Sequence, residues 1–166
     1  MTMASLAETQ KITPFLWFNN EAEEAANFYV SLFKDSKILT VSRYGEAGPG
    51  PKGSAMVVDF QLAGIRFNAL NGGPVFKFTE AISMAVSCDS QEEVDMLWSK
   101  LTANGGQESQ CGWLKDRYGL SWQIVPKRFM ELMQDKDPKR TQRVMQAMLK
   151  MKKFDIARLE EAYAQA

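Results

Sequence analysis

Cys111, set in Gln110-Cys111-Gly112-Trp113, is the one plausible nucleophile in this chain, and there is no histidine to deprotonate it. A thiol becomes a thiolate beside a cation or a helix N-terminus; Lys115 and Arg117 are close in sequence. A free cysteine is more often a packed small hydrophobe, so an inert thiol is the favoured reading of Cys111. Cys88 ends an apolar run and reads as structural. The absence of histidine removes Ser-His-Asp and Cys-His catalysis and the commonest protein metal ligand. A hard-metal site built only from carboxylates would need several convergent Asp or Glu residues. The adjacent pairs Glu23-Glu24 and Glu92-Glu93 do not supply one. Neighbours on a helix do not face each other, and first-turn carboxylates suit the positive dipole end.

Those carboxylates belong to a repeat. Asn20 to Tyr29 aligns with Asp89 to Trp98 at an offset of 69, with Leu32 on Leu101. Each copy follows an apolar run, Ile12–Phe18 and Ala81–Cys88. A strand–helix unit is therefore present twice. In the first copy the pattern predicts strand Ile12–Phe18, helix Glu21–Phe33 and strand Ser36–Tyr44. A Gly/Pro loop over Gly45–Gly53 follows, then a hairpin of Ser54–Leu62 and Ile65–Asn71 around Ala63-Gly64. The second copy reads as strand Glu80–Cys88 and helix Gln91–Thr102, then strands Gln107–Leu114 and Leu120–Val125 joined at Asp116–Gly119. Beyond Pro126 the pattern is helical, with Asp137-Pro138 and Asp155 as caps for helices to about Lys152 and to Tyr163. Two βαβββ-like halves plus helices predict a mixed α+β domain whose sheets carry helices on one side and leave the other free for a cavity.

Composition sets the remaining bounds. Net charge is zero, which gives no pull toward nucleic acid or an acidic surface. Lys136, Lys139, Arg140, Arg143, Lys150, Lys152 and Lys153 make the tail basic. Val144, Met145, Met148, Leu149 and Met151 lie among them as an apolar stripe that needs a protein surface. Docking or a dimer contact is preferred over nucleic-acid binding. Two isolated cysteines point to a reducing cytosol, so a cytoplasmic location is expected. No apolar run approaches a membrane span, and Met1–Gln10 lacks the features of a secretory signal and is expected to fray. The expected organisation is a lead-in over 1–10, modules 11–74 and 75–126, and a helical tail 127–166.

Ile12–Phe18, the helix Ala22-Glu23-Glu24-Ala25 with Phe28-Tyr29, Asn68–Pro74, Gln110–Asp116 and Tyr118–Pro126 together resemble the vicinal oxygen chelate (glyoxalase/bleomycin-resistance) superfamily. Within it the chain is similar to the PhnB-like family often labelled 3-demethylubiquinone 3-methyltransferase. The resemblance implies paired glyoxalase-like βαβββ modules with curved sheets, a cleft, and a homodimer. It places the superfamily's metal-ligand slots near Thr13 or Pro14, near Asn68, near Ser83 or Ile82, and at Gln123. These offer neutral donors without imidazole or carboxylate, so no metal is expected. Nor does Gly72-Gly73-Pro74 make a cofactor fingerprint, so no cofactor is expected. Asn68, Ser83 and Gln123 either orient a polar ligand by hydrogen bonds or bond one another in a filled interior. Phe15 and Trp17 share a strand face by period two; with Trp113 they are the aromatics that could line the cleft. Trp122, of opposite parity to Gln123, reads as core. The ligand-binding set is thus Phe15, Trp17, Asn68, Ser83, Cys111, Trp113 and Gln123. The first expectation is a metal-free, homodimeric small-molecule-binding protein. The alternative is a superfamily enzyme using a divalent metal or Cys111, with methyl transfer disfavoured.

Overall fold

The computed structural model describes residues 10–165; all but the last residue of the expected lead-in lies outside them. The chain divides into two compact units, up to Lys77 and from Phe78 onward. In the first unit, β1 (Phe15–Phe18), α1 (Ala22–Leu32), β2 (Lys37–Arg43), β3 (Ala55–Leu62) and β4 (Ile65–Asn71) follow in chain order. The sheet order is β1-β4-β3-β2, with β1 parallel to β4 and the other pairs antiparallel. Alternation explains the core. Leu16 and Phe18 of β1, Val58, Phe60 and Leu62 of β3, and Phe67 and Ala69 of β4 are buried, as are Ala22, Ala25, Ala26, Tyr29 and Leu32 of α1. Each large side chain so buried contributes about 2 kcal/mol.

The first strand is shorter than the run Ile12–Phe18. Pro14 has no N–H for a ladder, although its carbonyl still accepts the Asn68 N–H at 3.0 Å. The β3–β4 hairpin turns on Ala63 and Gly64, both left-handed (φ 48° and 81°), the geometry of a two-residue primed turn.

The second unit repeats the plan with β5 (Ser83–Cys88), α2 (Gln91–Thr102), β6 (Gln107–Glu108), β7 (Trp113–Lys115) and β8 (Ser121–Pro126), in the order β5-β8-β7-β6 with β5 parallel to β8. The offset of 69 carries the first residue of α1 onto the first residue of α2. Ser90 caps α2 by accepting the Glu93 N–H at 3.2 Å, and Glu93 accepts the Asp89 N–H at 2.6 Å.

Expectations are corrected in this unit, where β5 begins at Ser83 and not at Glu80. Gln107–Leu114 is not a continuous strand; it is broken by a turn at Cys111 and Gly112, both left-handed (φ 56° and 82°). Their N–H groups donate not to a sheet partner but to the carbonyls of Met151 and Lys152, at 2.8 and 2.7 Å. A Cβ on Gly112 would overlap the Phe154 ring. The docking tail therefore claims the backbone that a longer strand would have used.

That tail comprises α3 (Lys127–Met133), α4 (Pro138–Met148) and α5 (Ile156–Ala164). Asp137 and Asp155 cap α4 and α5 through the N–H groups of Lys139 and Arg158. Helix α4 stops at Met148 rather than near Lys152, and the segment after it supplies the carbonyls just described. Phe154 is 2% exposed and tilts against Phe129 at 5.0 Å. Gln91 at the start of α2 donates to the Phe154 carbonyl (3.0 Å) and accepts the Ile156 N–H (2.8 Å). No described helix is long and apolar enough to cross a membrane.

Candidate functional site

The residues singled out by sequence separate by unit. Phe15 and Trp17 lie on the β1 face opposite α1, and register pairs Phe15 with Asn68 and Asn68 with Asp59. Phe15 is 57% exposed. Trp17 is half-buried and committed to structure: its indole donates to the Gly73 carbonyl at 2.9 Å, and its ring meets Phe76 edge-on at 4.9 Å. Asn68 is half-buried, and its side chain makes no hydrogen bond among the described residues. Beside it Arg66 grips the buried Asp59 through two guanidinium nitrogens. That bonding holds the Arg66 pKa above its ordinary value.

A pocket of about 590 Å³ in this unit sits at the strand ends. Beyond the exposed Asn19 and Asn20, much of its polar lining is occupied internally. Arg43 pairs with Glu23 at 2.9 Å, the Tyr44 hydroxyl donates to the Asn71 carbonyl at 2.6 Å, and the Asn71 side chain bridges Ala22 N–H and Ala55 C=O.

In the second unit Ser83, Trp113 and Gln123 share the sheet face opposite α2, with Gln123 paired in register to both Ala85 and Trp113. The Gln123 amide donates to the Ser83 hydroxyl at 2.9 Å, so these two bond one another. Trp122 lies in the core, 1% exposed, and donates to Asp116 at 2.9 Å. Cys111 is not with this group; its sulfur faces the Met148 carbonyl at 3.8 Å, on the tail side of the turn. Cys88 is buried, and burial first, then Glu93 and Asp89, push its thiol pKa up to about 12.

Next to Trp113 the same face opens a pocket of about 420 Å³, which Lys115, Ser121 and Glu80 also line. Period two from Trp113 and from Gln123 finds Lys115 and Ser121, which are register partners. Sequence reasoning weighed Lys115 only as a cation near Cys111 and passed over Ser121, and nothing in the pattern signals Glu80, which comes from the segment before β5. Ser121 is 1% exposed, yet its hydroxyl has no partner. Trp17, Trp98 and Trp122 each satisfy their indole N–H; the Trp113 indole has no partner among the described residues. The Lys115 ammonium stands 2.5 Å from Glu80 and, with a backbone N–H, holds that carboxyl below the usual range.

The donor set does not fit a divalent metal. Asn68, Ser83 and Gln123 are neutral, and no three His, Cys, Asp or Glu side chains converge among the described residues. A nucleotide-type cofactor fits no better. The β1–α1 and β5–α2 connections, Asn19-Asn20-Glu21 and Asp89-Ser90, contain no glycine, and Gly72-Gly73 leads into a loop instead of a helix.

Against known proteins, the family model described as 3-demethylubiquinone-9 3-methyltransferase matches residues 10–125. A PhnB protein from Bacillus cereus, named as a 3-demethylubiquinone-9 3-methyltransferase, is 41% identical over 70% of this chain and 99% of its own, with a TM-score of 0.66. Protein PA1353 from Pseudomonas aeruginosa is 21% identical over 70% of this chain and 97% of its own, with a TM-score of 0.58; it shares the fold. No curated protein matches. With the duplicated βαβββ plan, the family model and the PhnB likeness in agreement, the chain belongs to the PhnB-like 3-demethylubiquinone-9 3-methyltransferase family of the vicinal oxygen chelate superfamily.

Proposed function

We propose that this protein binds a small polar organic molecule without a metal ion, on the sheet face of its second module opposite α2, and works as a cytoplasmic homodimer. The observation that carries the reading is the Ser121 hydroxyl, buried and unpartnered in a pocket beside Trp113 and Lys115. A buried hydroxyl left unpaired costs about 1–3 kcal/mol, which a ligand atom would recover. Methyl transfer, which the family name carries, has little support in the residues, since neither helix start carries a cofactor-binding turn.

Native mass spectrometry with elemental analysis on the same sample tests the proposal. The expected result is a dimer without stoichiometric transition metal, and an organic adduct that Trp113→Ala releases. Stoichiometric Zn, Ni, Mn or Fe would overturn it, as would an adduct indifferent to Trp113.

A further inference from the structure

We infer that the ligand of this pocket is a small planar carboxylic acid, bound as its anion in the place that Glu80 now holds. The inference rests on the binding proposal above and adds the ligand's chemical class. Deepest in the pocket wall the unpartnered Ser121 hydroxyl, the unpartnered Trp113 indole N–H and the Lys115 ammonium can donate toward a ligand, while the exposed Gln107 and Ser109 can donate or accept. A donor-rich wall selects an acceptor. Trp113 supplies the broad apolar surface, which favours a flat ring over a branched chain.

Glu80 marks where the acid goes. Its carboxylate meets Lys115 at 2.5 Å while its side chain stays 64% exposed, so it is a tethered carboxylate that can swing into solvent. The pocket's other carboxylate, Glu108, already accepts the Trp98 indole N–H at 2.8 Å and pairs with Lys152 at 3.6 Å. Removing Glu80 therefore frees Lys115 and leaves one unanswered positive charge beside an orphan hydroxyl. A ligand carboxylate satisfies both.

The experiment follows amide and indole resonances of the isotope-labelled full chain during titration with benzoate, benzamide and benzylamine, in the wild type, Glu80→Gln and Ser121→Ala. Benzoate should shift Trp113, Lys115 and Ser121 and bind at least about tenfold more tightly than benzamide. Glu80→Gln should tighten benzoate several-fold, and Ser121→Ala should weaken it about tenfold. If benzamide or benzylamine binds these same residues as well as benzoate does, the acid class is wrong while the pocket stands as a binding site. If no probe shifts these resonances even in Glu80→Gln, the acid inference is overturned, and the adduct measurement separately decides the binding proposal.

Discussion

The two modules share one topology but differ in how fully each satisfies its own polar groups. The first has a seven-residue β2 beside β3, and its sheet face carries a closed pair, Asp59 gripped by Arg66. Its pocket is the larger, yet the hydroxyl, amide and charge named there are answered from within the unit. The second replaces that strand with the two-residue β6, hands the adjoining turn to the tail, and leaves Ser121 and Trp113 unanswered. The binding proposal therefore rests on unsatisfied donors in a pocket and not on pocket size. The first module also has an unpartnered amide, Asn68, but it lies outside the lining of that module's pocket.

The sharpest way to break this contrast is through glycines that aromatic rings press upon. Gly112→Ala sets a Cβ against Phe154 and the Ile124 carbonyl at a left-handed φ of 82°. It should cost about 3–4 kcal/mol and loosen the tail, read as a lower urea midpoint and faster exchange of the Cys111 amide. Gly72→Ala, under the Trp17 ring in the first module, should cost less, about 2 kcal/mol, because a side chain can yield where a backbone cannot. Equal costs would mean that the tail does not hold the second turn.

The closed pair of the first module comes next. Asp59→Asn leaves Arg66 without its counter-charge, but Arg66 is partly in contact with water, its side chain 29% exposed. A loss of about 2 kcal/mol by urea unfolding is expected, below the full cost of a wholly buried orphan. A double-mutant cycle with Arg66→Met should show most of that loss as coupling between the two.

Ser121→Ala inverts the sign. It removes an orphan hydroxyl, so the ligand-free protein should gain about 1 kcal/mol, seen as a raised melting temperature. A loss instead would mean that the hydroxyl is satisfied in solution and that the second module is as closed as the first.

How far the sequence could be read follows the same line. The repeat, the helix start at Gln91, the start of α1 to within one residue, and Ile65–Asn71 were legible because period and caps are local. The break at Cys111-Gly112 was not, since the carbonyls that claim its N–H groups come from Met151 and Lys152, some forty residues on. Among the site candidates, parity set Trp122 apart from Gln123, while the strand register of the fold is what puts Trp113 on the Gln123 face. Parity cannot say which polar group already has a partner. Ser83 and Gln123 look like ligand groups in sequence and bond one another in the fold, while Ser121, unremarkable in sequence, stands unpartnered.

The smallest effect expected concerns pH and separates the modules once more. Hydrogen bonds from Lys153 and Gln91 hold the Asp95 pKa below its ordinary value, and one from the Trp98 indole does the same for Glu108, which Lys152 also faces. Depressed carboxyl values mean that this tethering of the tail is complete above the ordinary carboxylate range. It is lost as pH falls through the lowered folded values, when protonation removes the charge that Lys152 and Lys153 answer. Both groups are open to water, so screening keeps the contribution small. Acidification should therefore lower the protection factors, measured against intrinsic exchange at each pH, of Cys111 and Gly112, whose partners lie beside those lysines, before it affects β3 and β4. Added salt at neutral pH should mimic part of the change. If β3 and β4 open first in acid, the tail is held by Phe154 and the backbone bonds alone, and the charges on α2 and β6 are only a solvated surface.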